Sequence, residues 1–194
     1  MTRDEAEAIL LEAEPHNPGP WVEHSRNVAM CAEIIARAAG MDVNKAYIFG
    51  LLHDIGRRFG KEHMVHVYYG YRYMMEKGNS EIARICLTHA YNTKDIYDDV
   101  GAKDENAPIV QALLDQVEFD DYDRLIQLCD SIALAEGVVD IEYRMNDIKQ
   151  RYGNYPQIKW NKNMEIKKYF EEKCGVEDIY DLLPEKTSIG GRNV

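Results

Sequence analysis

Apolar residues recur at helical spacing along almost the whole chain, and this periodicity is what most restricts the fold. The stripe that begins at His24 continues at i+4, i+7, i+11 and i+14 through Val28, Cys31, Ile35 and Ala38. Such spacing gathers these side chains on one helix face, which turns towards a core. The best strand candidate, the aromatic run at residues 67–71, lies inside a segment that continues with helical period. The sequence therefore predicts an all-α fold.

Proline, glycine and capping residues mark where the predicted helices begin and end. A breaker-rich loop covers residues 15–20. Asp42 is expected to cap a helix that runs to about residue 52, and Gly56 is expected to turn the chain after it. Ser80 is expected to cap another helix, a further helix should span about residues 122–136, and residues 185–194 should form a loose tail.

The overall charge excludes some classes of partner. Lys and Arg number 23 against 34 Asp and Glu, which gives a formal net charge of -11 at pH 7. Because nucleic acid phosphates would be repelled, no nucleic acid partner is expected. No run of about 18 apolar residues could span a membrane, and the first residues are acidic rather than basic, so we expect a cytoplasmic protein. The four cysteines form no CxxC pair, which favours buried free thiols.

Much of the negative charge lies in one segment, residues 91–123. It contains ten acidic residues and two basic ones. Since a charge run is usually an exposed helix face or loop, we expect a solvated insertion here. A weak apolar pattern around Ile109, Leu113 and Leu114 predicts a short helix inside it.

Four histidines and two aspartates are expected to face inward or to lie at the end of an apolar helix: His24, His53, His66, His89, Asp54 and Asp130. A single histidine on such a face is more often a hydrogen-bonded core residue than a ligand. Asp130, however, lies in the middle of an apolar helix, where a carboxylate is costly unless it is paired or bound to a metal. Residues of these types from separate helices compensate one another best by sharing cations. The set therefore predicts a metal site with nitrogen and oxygen ligands, suited to Fe, Mn, Co, Ni or Zn.

The order and context of these residues resemble the HD superfamily of metal-dependent phosphohydrolases, whose signature is H…HD…D on a helical bundle. The matching text is EHS at residues 23–25, LLHDIG at residues 51–56 and LCDS at residues 128–131. The resemblance covers about residues 20–155 and implies an HD-type helical core there. We expect one domain over residues 1–194, with C-terminal helices at about 156–183.

Two further histidines are similar to the intervening histidines of family members that hold two metals, including the bacterial diadenosine tetraphosphate hydrolases. They are His66, in HVYYGY, and His89, at the end of ICLTH. The resemblance implies the following ligands for one metal: His24, His53, Asp54 and Asp130. It implies that Asp54 bridges to a second metal, which His66 and His89 hold. Alternatively, these two histidines contact the substrate phosphate or transfer a proton, and His63 could replace His66 as a ligand.

The resemblance also implies an activity. Two divalent transition metals, Fe or Mn first and Co, Ni, Zn or Mg as further options, would activate a water that cleaves a phosphoester or phosphoanhydride bond. The expected substrate is a nucleotide or another small phosphorylated metabolite, with Asp54, His66 and His89 as catalytic residues. Two alternatives remain: a noncatalytic nucleotide-sensing module, and a di-iron oxygenase on the same fold.

Basic residues near the HD doublet are candidates for substrate binding. Arg57, Arg58 and Lys61 follow it, and a planar guanidinium suits phosphate oxygens. For Arg58 and Lys61, ordinary surface charge is the alternative. Arg144 and Lys149 resemble a stretch that follows the last Asp in related proteins, and the sequence assigns them no role. Apolar positions of the C-terminal helices could pack in the core or form a homodimer.

Overall fold

The structure is a computed structural model of the chain, and it describes residues 1–60, 65–98, 105–189 and 192–193. Nine α-helices lie within these ranges: α1 (Arg3–Ala13), α2 (Trp21–Ala38), α3 (Val43–Leu52), α4 (Val65–Glu76), α5 (Ser80–Thr88), α6 (Ala107–Leu114), α7 (Asp121–Ser131), α8 (Ile141–Tyr152) and α9 (Gln157–Cys174). Short 3₁₀ helices are Glu14–His16, Ile55–Phe59, Ile96–Asp98 and Ile179–Leu182. Antiparallel pairs are β1 (Ala133–Leu134) with β2 (Gly137–Val138), and β3 (Ser188–Ile189) with β4 (Arg192–Asn193). The all-α prediction is confirmed. None of the helices in the described ranges is long and apolar enough to cross a membrane.

Helices α2 and α3 form the centre of the bundle, and α7 packs against both of them. A Cβ atom on Gly50 of α3 would lie 2.7 Å from the Cα atom of Ala29 on α2. Glycine at this position therefore allows the two helix backbones to approach closely. Fully buried side chains such as Ile35 and Leu51 fill the interior around this contact.

The helix starts agree only in part with the capping predictions. The side chain of Asp42 accepts two backbone N–H hydrogen bonds and begins α3 as expected, and Asp140 begins α8 in the same way. Helix α5 differs, because Asn79 occupies its N-cap position and makes no side-chain cap hydrogen bond. Ser80 is the first residue of that helix, so its prediction as the cap is wrong.

The helix that was expected to reach residue 136 ends at Ser131, and the β1–β2 hairpin follows. Gly137 has a φ of 136°, a backbone conformation that favours glycine. The side-chain amide of Asn27 on α2 donates hydrogen bonds to the carbonyls of Leu134 and Ala135, at 2.8 and 3.0 Å. The apolar residues of this segment fit a helix or a strand equally well, so the sequence pattern alone did not reveal the hairpin.

The described parts of the acidic segment, residues 91–98 and 105–123, are less solvated than expected. Val110 and Leu114 of helix α6 pack in a second apolar cluster, which also contains Val67 of α4 and Leu87 of α5. On the other side of α6, Ile109 is 47% exposed. The segment therefore contributes a small core of its own beside the main bundle.

The C-terminal residues are more firmly attached than the predicted loose tail. The backbone N–H of Thr187 donates a hydrogen bond to the carbonyl of Val138 at 2.7 Å. Lys186 forms an ion pair with Asp140 at the start of α8, at 3.0 Å. These contacts fasten the chain after α9 to the β1–β2 hairpin.

Candidate metal centre

His53 and Asp54 lie where α3 gives way to the 3₁₀ helix Ile55–Phe59. His53 is the C-cap residue of α3, and Asp54 precedes the 3₁₀ helix with φ -101° and ψ 12°. The exposed fractions of the two residues are 0% and 2%. The change of helix geometry at this point lets two successive side chains both turn inward, as the sequence predicted for a helix end.

Gly56 has a role different from the predicted turn. It does not adopt a positive φ. Instead, a Cβ atom at this position would lie 1.9 Å from the carbonyl oxygen of His66 and 2.5 Å from the backbone nitrogen of Gly70. The missing side chain therefore lets α4 pack directly on the 3₁₀ helix, which brings His66 beside Asp54.

One group of ligand atoms joins α2, α3 and α7. His24, His53 and Asp130 each offer one atom, and these atoms all lie within 4.8 Å of one another. The Nε2 atom of His24 is 3.0 Å from Oδ1 of Asp130, and the Nε2 atom of His53 is 3.9 Å from the same oxygen. The side chain of Asp130 is 26% exposed, so this group is open on one side.

A second group shares His53 and is centred on Asp54. His53, Asp54 and His89 offer three atoms that also lie within 4.8 Å of one another. The Oδ1 atom of Asp54 is 3.5 Å from Nε2 of His89 and 3.2 Å from Nε2 of His66. The two groups thus contain five of the six ligands that the sequence predicted, and the sixth, His66, lies next to Asp54 of the second group.

Hydrogen bonds orient two of the imidazoles. The Nδ1 atom of His53 lies 2.7 Å from the carbonyl oxygen of Gly50, and Nδ1 of His89 lies 2.9 Å from that of Cys86. Because a carbonyl can only accept, each Nδ1 carries a proton and donates it. In the neutral ring, Nε2 then presents a lone pair to the centre. Metal-binding histidines are held in the same manner.

Two buried atoms of the centre have no hydrogen-bond partner, namely Nε2 of His53 and Oδ1 of Asp54. Burial lowers the pKa of His53 to about 4, so its ring is neutral near pH 7. Burial also disfavours the charged form of Asp54, but the Arg57 guanidinium, with His66 and His53, holds the pKa of this carboxyl well below its usual range. A neutral imidazole nitrogen and an ionised carboxylate oxygen, both buried, form a donor set that fits a divalent metal.

The ligand groups open into a cavity of about 780 Å³, a size typical of small-molecule sites. The ligands form its floor. Its walls come from the loop at residues 17–20 with Trp21, the β1–β2 hairpin, α8 and the start of α9. Arg57 also lines the cavity, and its Nε atom donates a hydrogen bond to Oδ2 of Asp54. Of the three predicted substrate-binding residues, Arg57 is thus next to the ligands.

Arg58 does not reach this cavity. Its guanidinium donates hydrogen bonds to the carboxylate of Glu12, at 2.6 and 3.0 Å, and to the hydroxyl of Tyr73, at 2.8 Å. Arg58 therefore connects α1 with α4. Its N–H donors, which were predicted to bind a substrate phosphate, bind Glu12 and Tyr73 instead. Lys61 and His63 lie outside the described residues.

Gln127 was not among the residues predicted from the sequence, and it lines the cavity one helical turn before Asp130. Its side-chain Nε2 donates to the carbonyl of Thr88 at 3.0 Å, and its Oε1 is buried without a hydrogen-bond partner. The hydroxyl of Thr88 in turn donates to Asp123 at 2.7 Å. This network fixes the end of α5, where His89 lies. The i, i+3 spacing between Gln127 and Asp130 is the signal that could have identified it.

The comparison with family models agrees with this geometry. A model described as HD domain matches residues 21–135, which is more than half of the chain. The matched range contains all six predicted ligand residues. Neither the search of the curated proteins nor that of the solved structures finds a match. On the strength of this match, the chain belongs to the HD domain family.

Proposed function

We propose that this protein is a phosphohydrolase that uses two divalent transition metals to cleave a phosphoester or phosphoanhydride bond of a nucleotide or another small phosphorylated metabolite. One observation carries the proposal. The two groups of ligand atoms share His53, adjoin one another at Asp54 and form the floor of a cavity large enough for such a substrate.

The residues divide into two ligand sets under this proposal. His24, His53 and Asp130 would hold one metal, and His66 with His89 would hold the other. Asp54 would serve both, because its Oδ1 lies near the two histidines of the second set and the carboxyl is buried beside His53. When bound, divalent metals lower the pKa of a coordinated water and stabilise charge on phosphoryl oxygens.

The surrounding side chains have separate tasks. Arg57 fixes the orientation of Asp54 through Oδ2 and presents further N–H donors at the cavity surface, where phosphate oxygens would bind. Gly50 and Cys86 hold the two imidazoles through their carbonyls. The Cys86 thiol itself donates to the carbonyl of Leu52, and burial raises its pKa, so it is not available as a thiolate ligand. The ligand set of nitrogen and oxygen atoms favours Fe or Mn, with Co, Ni, Zn or Mg as further options.

Two measurements on the full chain test this proposal. Elemental mass spectrometry of untagged protein, purified without added metal, should find two equivalents of Fe, Mn or another transition metal per chain. Phosphate release should then be measured over a panel of nucleotides and small phosphorylated metabolites, with each metal supplied, aerobically and anaerobically. We expect turnover that requires the metal.

Other results would replace the proposal. Tight nucleotide binding without turnover, whichever metal is supplied, would indicate a noncatalytic sensing module. A requirement for iron together with oxygen consumption would indicate an oxygenase. About one metal equivalent per chain would mean that His66 and His89 contact the substrate rather than a second metal.

A further inference from the structure

One wall of the cavity carries a net positive charge, although the chain as a whole is acidic. Arg144, Asp147, Ile148 and Arg151 of α8 recur at i, i+3, i+4 and i+7, so they share one helix face, and all four line the cavity. Lys159 of α9 lines it beside them. We call Arg144, Asp147, Arg151 and Lys159 the basic wall. It carries three positive charges and one negative charge.

The two arginines of the basic wall are held by the carboxylate between them. Oδ2 of Asp147 is 2.6 Å from Nη2 of Arg151 and 3.5 Å from Nη1 of Arg144. The Nε atom of Arg144 is buried and has no hydrogen-bond partner. The guanidinium of Arg144 lines the cavity with incomplete hydrogen bonding, so it can donate to an anionic ligand there, and its partial fixation by Asp147 reduces the entropy lost on binding.

The basic wall is distinct from the part of the site that would receive the phosphate to be cleaved. That phosphate belongs at the floor, next to Asp54, where Arg57 already supplies a cation. Arg144 and Arg151 lie two helical turns apart on α8, a rise of about 10 Å, and neither of them pairs with a predicted metal ligand in the described part of the chain. A substrate with one phosphate would leave these charges unused.

We propose that the basic wall is a second phosphate subsite, and that the substrate carries another phosphate group at a distance from the bond that is cleaved. That the ligand is a substrate rests on the proposed function. The phosphate subsite itself depends only on residues of α8 and α9. Planar guanidinium groups bind phosphate oxygens in pairs, which suits Arg144 and Arg151. Tyr152 and Tyr155 line the cavity beside them and offer ring surface to the part of the molecule between the phosphates.

A binding experiment tests the subsite without turnover. Inorganic tripolyphosphate is titrated calorimetrically into the full chain and into three variants, Arg144→Gln, Arg151→Gln and Lys149→Gln. Lys149 is the matched control, because it lies on α8 and carries the same charge but is exposed and does not line the cavity. We expect each arginine variant to bind tripolyphosphate at least about tenfold more weakly, the loss typical of one charge-assisted hydrogen bond, and the control to change little. Arg144→Lys should restore part of the affinity.

A loss of tripolyphosphate binding can be distinguished from a loss of folding. Arg151 is 47% exposed through its side chain, so its replacement leaves the core intact even if Arg144→Gln is unstable. Circular dichroism and thermal melting establish that each variant is folded. Equal losses in Lys149→Gln and the arginine variants would overturn the subsite, because the effect would then be one of general charge. Unchanged affinity in both arginine variants would overturn it as well.

A kinetic experiment tests the substrate class. Arg151→Gln should raise the KM of a substrate with two phosphate groups by about tenfold, while the KM of a simple aryl phosphate monoester stays unchanged. An equal rise for both substrates would assign Arg151 to the cleaved phosphate and overturn the proposal. If no metal gives phosphate release from any substrate, the proposed function fails, and the tripolyphosphate titration alone decides on the subsite.

Discussion

Replacement of Gly56 by alanine tests whether the approach of α4 to the 3₁₀ helix Ile55–Phe59 builds the second ligand group. The added Cβ atom would lie 1.9 Å from the carbonyl oxygen of His66 and 2.5 Å from the backbone nitrogen of Gly70. Both atoms belong to the backbone of α4, so no side-chain rotation can relieve the overlap. Helix α4 must move away, and His66 must move with it from Asp54.

The size of the effect follows from the kind of atoms in contact. Overpacking of a well-filled core usually destabilises by 1–3 kcal/mol, and a clash with backbone belongs at the upper end, so we expect about 3 kcal/mol for Gly56→Ala. Gly70→Ala is the matched control. Its Cβ atom would meet Cys86 Cβ and Gly56 N at 3.2 Å, a contact that small shifts relieve, and alanine is favoured over glycine within a helix by about 1 kcal/mol.

Urea unfolding of the two variants and the wild type measures this difference, and elemental mass spectrometry measures their metal content. For a chain of this length, about 3 kcal/mol corresponds to a melting temperature lower by about 6–12 °C. We expect Gly56→Ala to lose metal as well as stability, and Gly70→Ala to stay within about 1 kcal/mol of the wild type. A Gly56→Ala protein with the stability and metal content of the Gly70→Ala protein would refute the reasoning.

Three other substitutions, one of them with a control variant, test the centre and its surroundings. The Asp54→Ala protein should be inactive and should bind neither metal. The control His16→Ala, outside the cavity, should change neither activity nor metal content. Full metal occupancy in the Asp54→Ala protein would contradict the bridging role. His89→Ala should lose one metal equivalent and keep much of the other, and unchanged metal content with reduced activity would make His89 a substrate contact. The hydrogen bonds from Arg58 and His16 lower the pKa of Glu12 from 4.5 to about 2, so the stabilisation by this carboxylate is present above pH 4.5 and is lost as the pH falls towards 2. The melting temperatures of wild type and Glu12→Gln should therefore converge over that range, and a constant difference would count against the interaction.

The candidate metal ligands could be proposed from the sequence because each of them is tied to helical period or to a helix end. His24 lies on the apolar stripe of α2, where a buried polar group demands a partner. Asp130 was expected in the middle of a helix, but α7 ends at Ser131 and the Asp130 side chain is 26% exposed, so that part of the prediction was wrong although Asp130 lies in the first group. His53 and Asp54 could be placed at a helix end, where adjacent side chains both turn inward. Helical periodicity thus indicates which residues face the centre, but it does not determine the distances between them.

The walls of the cavity could not be predicted in this way. Arg57 and Arg58 are adjacent and chemically identical, and the difference between them arises from Glu12, a residue of α1 far away in the sequence. The basic wall depends on the position of α8 at the cavity, and α8 directly follows the β1–β2 hairpin, which the apolar pattern did not reveal. Contacts between distant segments therefore decide which cations line the cavity.

The same consideration extends to the ligands, because they come from five separate segments of the chain. Metal–ligand distances tolerate deviations of only about 0.2 Å, so the positions of the helices matter as much as the identity of the ligands. Two of these positions depend on a missing side chain, Gly50 against Ala29 and Gly56 against His66. A chain with all six ligands but with alanine at both glycines would keep the sequence signature and lose the geometry. The signature therefore describes a metal centre only together with the small residues that let its helices meet.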